Sequence, residues 1–167
     1  MAEPPPLPPL ISFSLYSHIQ SALLTKRADY LMVDLDLSFS PQGVDGQLFD
    51  KIYGEFWLWI LGAYECTRTM CQHKHCFSPA AAERLLAFKK SICRIRVPFA
   101  KQELQGKNGV YVRHELSVSD VDSNRRDFAF DVSGKQVWMR TVLQDFLYLV
   151  ASISAEDVVH RLGTQRP

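Results

Sequence analysis

The chain has 167 residues, enough for one compact domain and short for two. With 47% hydrophobic and 22% charged residues it has an ordinary globular composition, which excludes disorder over the whole chain. A formal net charge of +1 excludes an overall electrostatic bias toward nucleic acid or anionic membrane.

The charge is unevenly spread. Between Arg27 and Glu55 the acids Asp29, Asp34, Asp36, Asp45, Asp50 and Glu55 face only Arg27 and Lys51. Between Glu83 and Lys107 the bases Arg84, Lys89, Lys90, Arg94, Arg96, Lys101 and Lys107 face only Glu83 and Glu103. Such asymmetry predicts two elements that attract one another across the fold, or a basic face for phosphate backbones. No basic region followed by an apolar core opens the sequence, and no apolar run approaches the roughly 20 residues that span a bilayer. A cytoplasmic location without a membrane partner is therefore expected, with Cys66, Cys71, Cys76 and Cys93 as reduced thiols.

Residues 1–11 read as a disordered, proline-rich leader, extended through Pro9, with a single helical domain over 12–155 and a partly disordered tail over 156–167. The first helix is predicted to start near Ser12 or Ser14. Leu15, Ile19, Leu23 and Leu24, then Tyr30, Leu31 and Leu35, form its amphipathic spacing. From Val33 to Ser40 apolar and polar residues alternate, a strand pattern, before the loop marked by Pro41, Gly43 and Gly46. A central helix follows, with Asp45 or Asp50 near its start, and it is apolar on every side around FWLWILGAY. Ser78-Pro79 opens the third helix, with Leu85, Leu86, Phe88, Ile92 and Ile95 on its apolar face. Pro98 should kink or break it, with PFAKQELQ as a short continuation.

One strand is then expected through Val110, Val112, Leu116 and Val118, a turn over Asp120 to Arg126, and a second strand through Phe128, Phe130 and Val132. The last helix, KQVWMRTVLQDFLYLVASIS, would turn Val137, Leu143, Phe146, Leu147 and Val150 inward. The fold class is mainly α: an antiparallel bundle of about four helices with a small β-hairpin before the last.

The central helix carries the candidate chemistry. At 100° per residue Gly62, Glu65, Arg68, Gln72 and His75 form one stripe, while His73 points elsewhere. An imidazole on that stripe could deprotonate a ribose 2′-hydroxyl or protonate a leaving oxygen. Arg68 would hold the phosphate, Glu65 would orient Arg68, and Gln72 could contact RNA. The bases Lys89, Lys90, Arg94 and Arg96 could guide RNA to the stripe. A second reading makes Glu65 and Arg68 a structural ion pair, with the histidines at the helix end. Cys71, His75, Cys76 and Cys93 form an alternative zinc set. No phosphate-cradling glycine loop is present, and no cofactor is expected.

RTMCQH and RTMCQHKH, from Arg68 to His73 and to His75, resemble the arginine, four-to-six residues, histidine pattern of the HEPN families. The resemblance implies a small helical bundle, commonly a homodimer, acting as a metal-independent RNase or RNA-binding domain of the toxin–antitoxin, defence or RNA-processing kind, with an antitoxin or another protein as a further partner. Arg68 and His73 or His75 would then be catalytic. The asparagine that often follows the family's arginine is Thr69 here. The other expectation is a non-catalytic helical interaction module, as a homodimer or otherwise, in which the same cluster is an ion-pair network.

Overall fold

The computed structural model describes residues 8–101, 103–105, 111–113, 118–132 and 134–163. The helices are α1 (Pro9–Phe13), α2 (Leu15–Ser38), α3 (Gly46–Gln72), α4 (Pro79–Lys101) and α5 (Met139–Ala151), with a 3-10 turn at Lys74–Cys76. The short strands β1 (Phe39–Ser40) and β2 (Gly43–Val44) pair with each other, as do β3 (Glu103–Gln105) and β4 (Tyr111–Arg113). Strands β5 (Val118–Asp122), β6 (Asp127–Asp131) and β7 (Gln136–Trp138) form an antiparallel sheet in that order. The architecture is mainly α, as the sequence predicts. No helix among the described residues is long and apolar enough to cross a membrane.

Local chemistry starts the long helices. The Ser14 hydroxyl accepts the Ser17 N–H, and the Asp45 carboxylate accepts those of Gln47 and Leu48. Ser78 accepts the Ala81 N–H, with Pro79 as the first residue of α4. Each satisfies a donor that the first helical turn leaves without a partner.

Several boundaries differ from the expectation. The alternating stretch from Val33 stays helical through Ser38, because Leu31, Leu35 and Ser38 repeat at helical spacing on the buried side. The chain is extended only in the β1–β2 hairpin, where Gly43 takes a φ of 126°. Pro98 does not end α4. It lies in the last turns, so its missing N–H forfeits one hydrogen bond near the end, while Phe99 is buried and gives its carbonyl to Trp57 Nε1 at 3.0 Å. Within PFAKQELQ the chain turns from helix to strand at Glu103.

The expected first strand is two strands with different partners, β4 on β3 and β5 on β6; Val110 and Leu116 lie outside the described residues. The hairpin becomes a three-stranded sheet, because KQVW does not begin the last helix. Val137 pairs with Phe130 and Trp138 with Ala129 as β7. Helix α5 starts only at Met139, where Asp127 Oδ1, from β6, accepts the Arg140 N–H at 3.0 Å and that of Phe128 at 2.9 Å. A buried carboxylate thus caps a helix that has no side-chain cap of its own.

The core is aromatic and centred on α3. Phe56 lies parallel to Phe130 at 5.7 Å between ring centroids, and Phe99 meets the same ring edge-on at 5.3 Å. Phe39 and Phe49 pack on Phe128, and Trp59 meets Phe146. On α4, Leu85, Phe88, Ile92 and Ile95 are buried and Leu86 is exposed. On α5, Leu143 and Phe146 are buried, with Leu147 and Val150 packed at the margin.

Helix α2 overturns the predicted inward face. Leu15, Ile19, Leu23 and Tyr30 are exposed, whereas Ser17, Ser21 and Ala28 are buried with Leu31 and Leu35. The cause is the close approach of α3. The Trp59 indole N–H reaches the Leu24 carbonyl at 2.9 Å, and Ser21 Oγ lies 3.4 Å from Cys66 Sγ. Small side chains fit against that tryptophan, and large ones would not.

At the ends of the described chain, Leu10 and Phe13 of α1 are buried, with Phe13 on the Phe77 ring. The segment 154–163 returns along the bundle: the Ser78 N–H reaches the Asp157 carbonyl, the Val159 N–H that of Cys76, and the Leu162 N–H that of Phe13. The Asp157 carboxylate accepts from the Ser78 hydroxyl and from Arg84 Nη2 at 2.8 Å. Hydrogen bonding, first from Ser78, holds it below the ordinary carboxylate range.

Two outcomes follow. Asp127→Ala should cost about 1–2 kcal/mol through loss of the cap, a fall in melting temperature of roughly 2–8 °C for a chain of this size. Asp127→Asn keeps an acceptor and should cost less, measured by thermal denaturation followed by circular dichroism. For Asp157 the folded state binds its proton less readily than the unfolded one. Its contribution is therefore complete above the ordinary carboxylate pKa of about 4 and disappears as pH falls through the lower folded value. The stability difference between the wild type and Ser78→Ala, from urea melts across pH, should be largest near neutrality and shrink below pH 4.

Candidate functional site

The polar stripe of α3 opens onto a groove of about 470 Å³ between α2 and α3. Gln20, Leu23 and Leu24 form the α2 wall; Gly62, Glu65, Cys66, Arg68 and Thr69 form the other. Gly62 permits the close approach of the helices, since a Cβ there would stand 3.2 Å from Leu24 Cδ2. Arg68 Nε donates to Glu65 Oε2 at 2.6 Å, one turn back on the same helix. The two side chains are 38% and 49% exposed, so the pair faces solvent. The Thr69 hydroxyl is turned to the Glu65 carbonyl at 3.0 Å.

Helix α3 ends at Gln72, and this breaks the predicted stripe. His73 is the C-cap, at φ −111° and ψ 36°, with its N–H on the Met70 carbonyl. His75 lies on the following 3-10 turn, exposed, so helical geometry no longer aligns it with Arg68. The two imidazoles are 6.0 Å apart between centroids. The groove around Arg68 is lined by neither histidine and not by Gln72. It offers a guanidinium, a carboxylate and a back-bonded hydroxyl, without an imidazole to move a proton.

The predicted RNA guides also separate. Lys90 and Arg94 are exposed and Lys89 is half-buried, whereas Arg96 turns to α3. Its guanidinium lies over the Tyr64 ring at 5.0 Å, with one nitrogen 3.9 Å from Glu65 Oε1. Glu65 therefore stands between two arginines, Arg68 on its own helix and Arg96 on α4. Tyr64 and the α2 wall are members of the site that the sequence reading missed. Only the adjacency of Tyr64 to Glu65 offered a signal for the tyrosine.

The acidic stretch pairs mainly within itself, Arg27 with Glu55 and Lys51 with Asp34, while Asp36 meets Arg140. The expected attraction between acidic and basic stretches is therefore absent among the described ion pairs of 27–55. Burial pushes the thiols of Cys66, Cys71 and Cys76 up from the ordinary cysteine value, toward unreactive core residues. Among the described residues no three His, Cys, Asp or Glu side chains come together as metal ligands, so Cys71, His75, Cys76 and Cys93 do not form the alternative zinc set.

The chain matches no known family, no curated protein and no solved structure. The HEPN resemblance stands on its eight residues.

A half-exposed pair contributes little. A double-mutant cycle of Glu65→Gln and Arg68→Ala should give a coupling of about 0.2–1 kcal/mol, reduced by added salt. Arg96→Ala should be the more destabilising arginine substitution, because it also removes the packing on Tyr64. Denaturant melts of the variants at low and high salt check both.

Proposed function

We propose that the chain is a non-catalytic helical interaction module whose working surface is the outward face of α2. Glu65, Arg68 and Arg96 then form the ion-pair network that joins α3 to α4. One observation carries this reading: Leu15, Tyr16, Ile19, Leu23, Tyr30, Val33 and Leu37 all stand exposed along a single face of α2, Tyr16 at 77%, Leu23 at 64% and Leu37 at 66%. Isolated exposed apolar residues are common, but seven along one helix face, interrupted at Lys26, support an interaction surface.

The second reading is a HEPN-like RNA-binding or metal-independent RNase domain, with an antitoxin-like protein as a further partner. The half-exposed Arg68 in an open groove favours it. For catalysis, His73 or His75 would have to enter that groove.

RNA cleavage in EDTA separates the two. The wild type and Arg68→Ala should both leave RNA intact; cleavage by the wild type that Arg68→Ala abolishes would replace the first reading with the second. In parallel, Leu23→Glu with Leu37→Glu should raise solubility and leave the melting temperature of dilute protein within about 2 °C, because surface changes stay within roughly 0.5 kcal/mol. Unchanged solubility with a large loss of stability would show that α2 serves its own fold alone.

A further inference from the structure

We propose that the groove between α2 and α3 binds a small aliphatic carboxylate through Arg68, and that Glu65 passes from Arg68 to Arg96 as the ligand enters. This site is the groove and not the outward face of α2, and its failure leaves the reading of that face untouched.

Two guanidinium groups share one carboxylate here, and they share it unequally. Arg68 Nε lies 2.6 Å from Glu65 Oε2, whereas Arg96 Nη2 is 3.9 Å from Glu65 Oε1, beyond hydrogen-bond length. Arg96 Nε is buried and has no hydrogen-bond partner. Among the described residues the two terminal nitrogens of Arg68 have none either. A guanidinium carries five donors and no acceptor, so two of them are poorly served by a single carboxylate. The three groups together hold one positive charge. The cluster is one monoanion short.

The groove decides where that anion enters. Arg68 lines it and Arg96 does not. An incoming carboxylate therefore meets Arg68, whose planar fork can give it two parallel N–H bonds. Glu65 has a second cation within reach, because its Oε1 needs to move only about 1 Å to come within hydrogen-bond length of Arg96. Arg96 is held in place for this by the Tyr64 ring, 5.0 Å from its guanidinium carbon. Every carboxylate is paired before and after the exchange, so no charge is abandoned when the ligand binds.

The walls set the class of ligand. A volume of about 470 Å³ falls within the ordinary range of small-molecule sites. Leu23 and Leu24 on one side and the bare backbone of Gly62 on the other give it apolar surface, and Gln20 adds an amide donor. One cation and one amide suit a single carboxylate, and the leucines suit a short alkyl chain. A nucleic-acid backbone would draw on several cations, and Lys89, Lys90 and Arg94 of α4 do not line the groove.

Octanoate is the probe, titrated into ¹⁵N-labelled protein with the Gly62 amide resonance as the reporter. The resonance should shift and saturate. Acetate, which lacks the chain, should bind more than about tenfold more weakly, and so should octanol, which lacks the charge. Arg68→Ala should weaken octanoate by more than about tenfold. The sign of two further substitutions separates a binding site from a purely structural network. Glu65→Gln removes the competitor for Arg68 and should tighten octanoate by up to about fivefold, while Arg96→Gln removes the second home of Glu65 and should weaken it by a similar factor. Loosening of a structural network would move both variants the same way. Glu65 is half-exposed and its substitution leaves the fold intact, so its sign decides the matter should Arg96→Gln fail to fold. No saturable shift at millimolar octanoate, or binding indifferent to Arg68→Ala, overturns the site. Tighter binding of octyl phosphate than of octanoate overturns the carboxylate class. Weaker binding by Glu65→Gln overturns the exchange.

Discussion

The parallel contact of Phe56 with Phe130 joins the helical and sheet portions of this fold, and much else follows from it. Phe56 is fully buried on α3, and Phe130 brings β6 onto that helix with Phe99 and Tyr53 around it. One pleat earlier, Phe128 is drawn against Phe39 and Phe49. Strand β6 is then covered on both faces, since Ala129 between the two rings is also buried. This packing carries Asp127, the first residue of β6, into the interior. An interior carboxylate requires donors. It finds them in its own strand and in the first turn of α5, and so fixes where that helix begins. Desolvation outweighs those hydrogen bonds and raises the Asp127 pKa above the usual carboxylate range.

What could be read from the sequence divides along the same line. The starts of α2, α3 and α4 depend on residues within one turn; Ser78 with Pro79 was visible outright, and Ser14 and Asp45 each as one of two alternatives, beside Ser12 and Asp50. The start of α5 depends on a carboxylate 13 positions earlier. Nothing in KQVW distinguishes a strand that pairs with Phe130 and Ala129 from the opening turn of a helix. The stretch from Val33 to Ser38 satisfies both periods, and only the presence of a core on the Leu31–Leu35 side selects the helical one. Pro98 is the converse case. Its local cost is real, but it falls near the end of α4 and is outweighed by the burial of Phe99.

The candidate site was legible on one helix. Gly62, Glu65, Arg68 and Gln72 do share a face of α3, as helical geometry requires. Extension to His75 failed because the helix stops at His73, where Lys74, His75 and Cys76 tighten into a 3-10 turn. Arg96 and the α2 wall were beyond reach, because their part in the site is a matter of how helices pack. Once Arg96 lies on Tyr64 and approaches Glu65, the carboxylate lies between two cations and links α3 to α4.

Helix α2 shows how packing can reverse a hydrophobic reading. By transfer free energy alone, Leu15, Ile19 and Leu23 belong inside, at about 1.5–3 kcal/mol for each side chain. The approach of α3 removes that option. The Trp59 indole on the Leu24 carbonyl, Ser21 on Cys66 and the bare Gly62 beside Leu24 leave room for serine and alanine on the inner face, and for little more. The large side chains are displaced outward, yet they are not scattered there. The buried members, Ser17, Ser21, Ala28, Leu31, Leu35 and Ser38 with Leu24 half-buried between them, keep steps of three and four, so the exposed residues are ordered by the face they are excluded from. Exclusion by Trp59 thus accounts for their leaving the core, and the buried register from Ser17 to Ser38 accounts for their alignment.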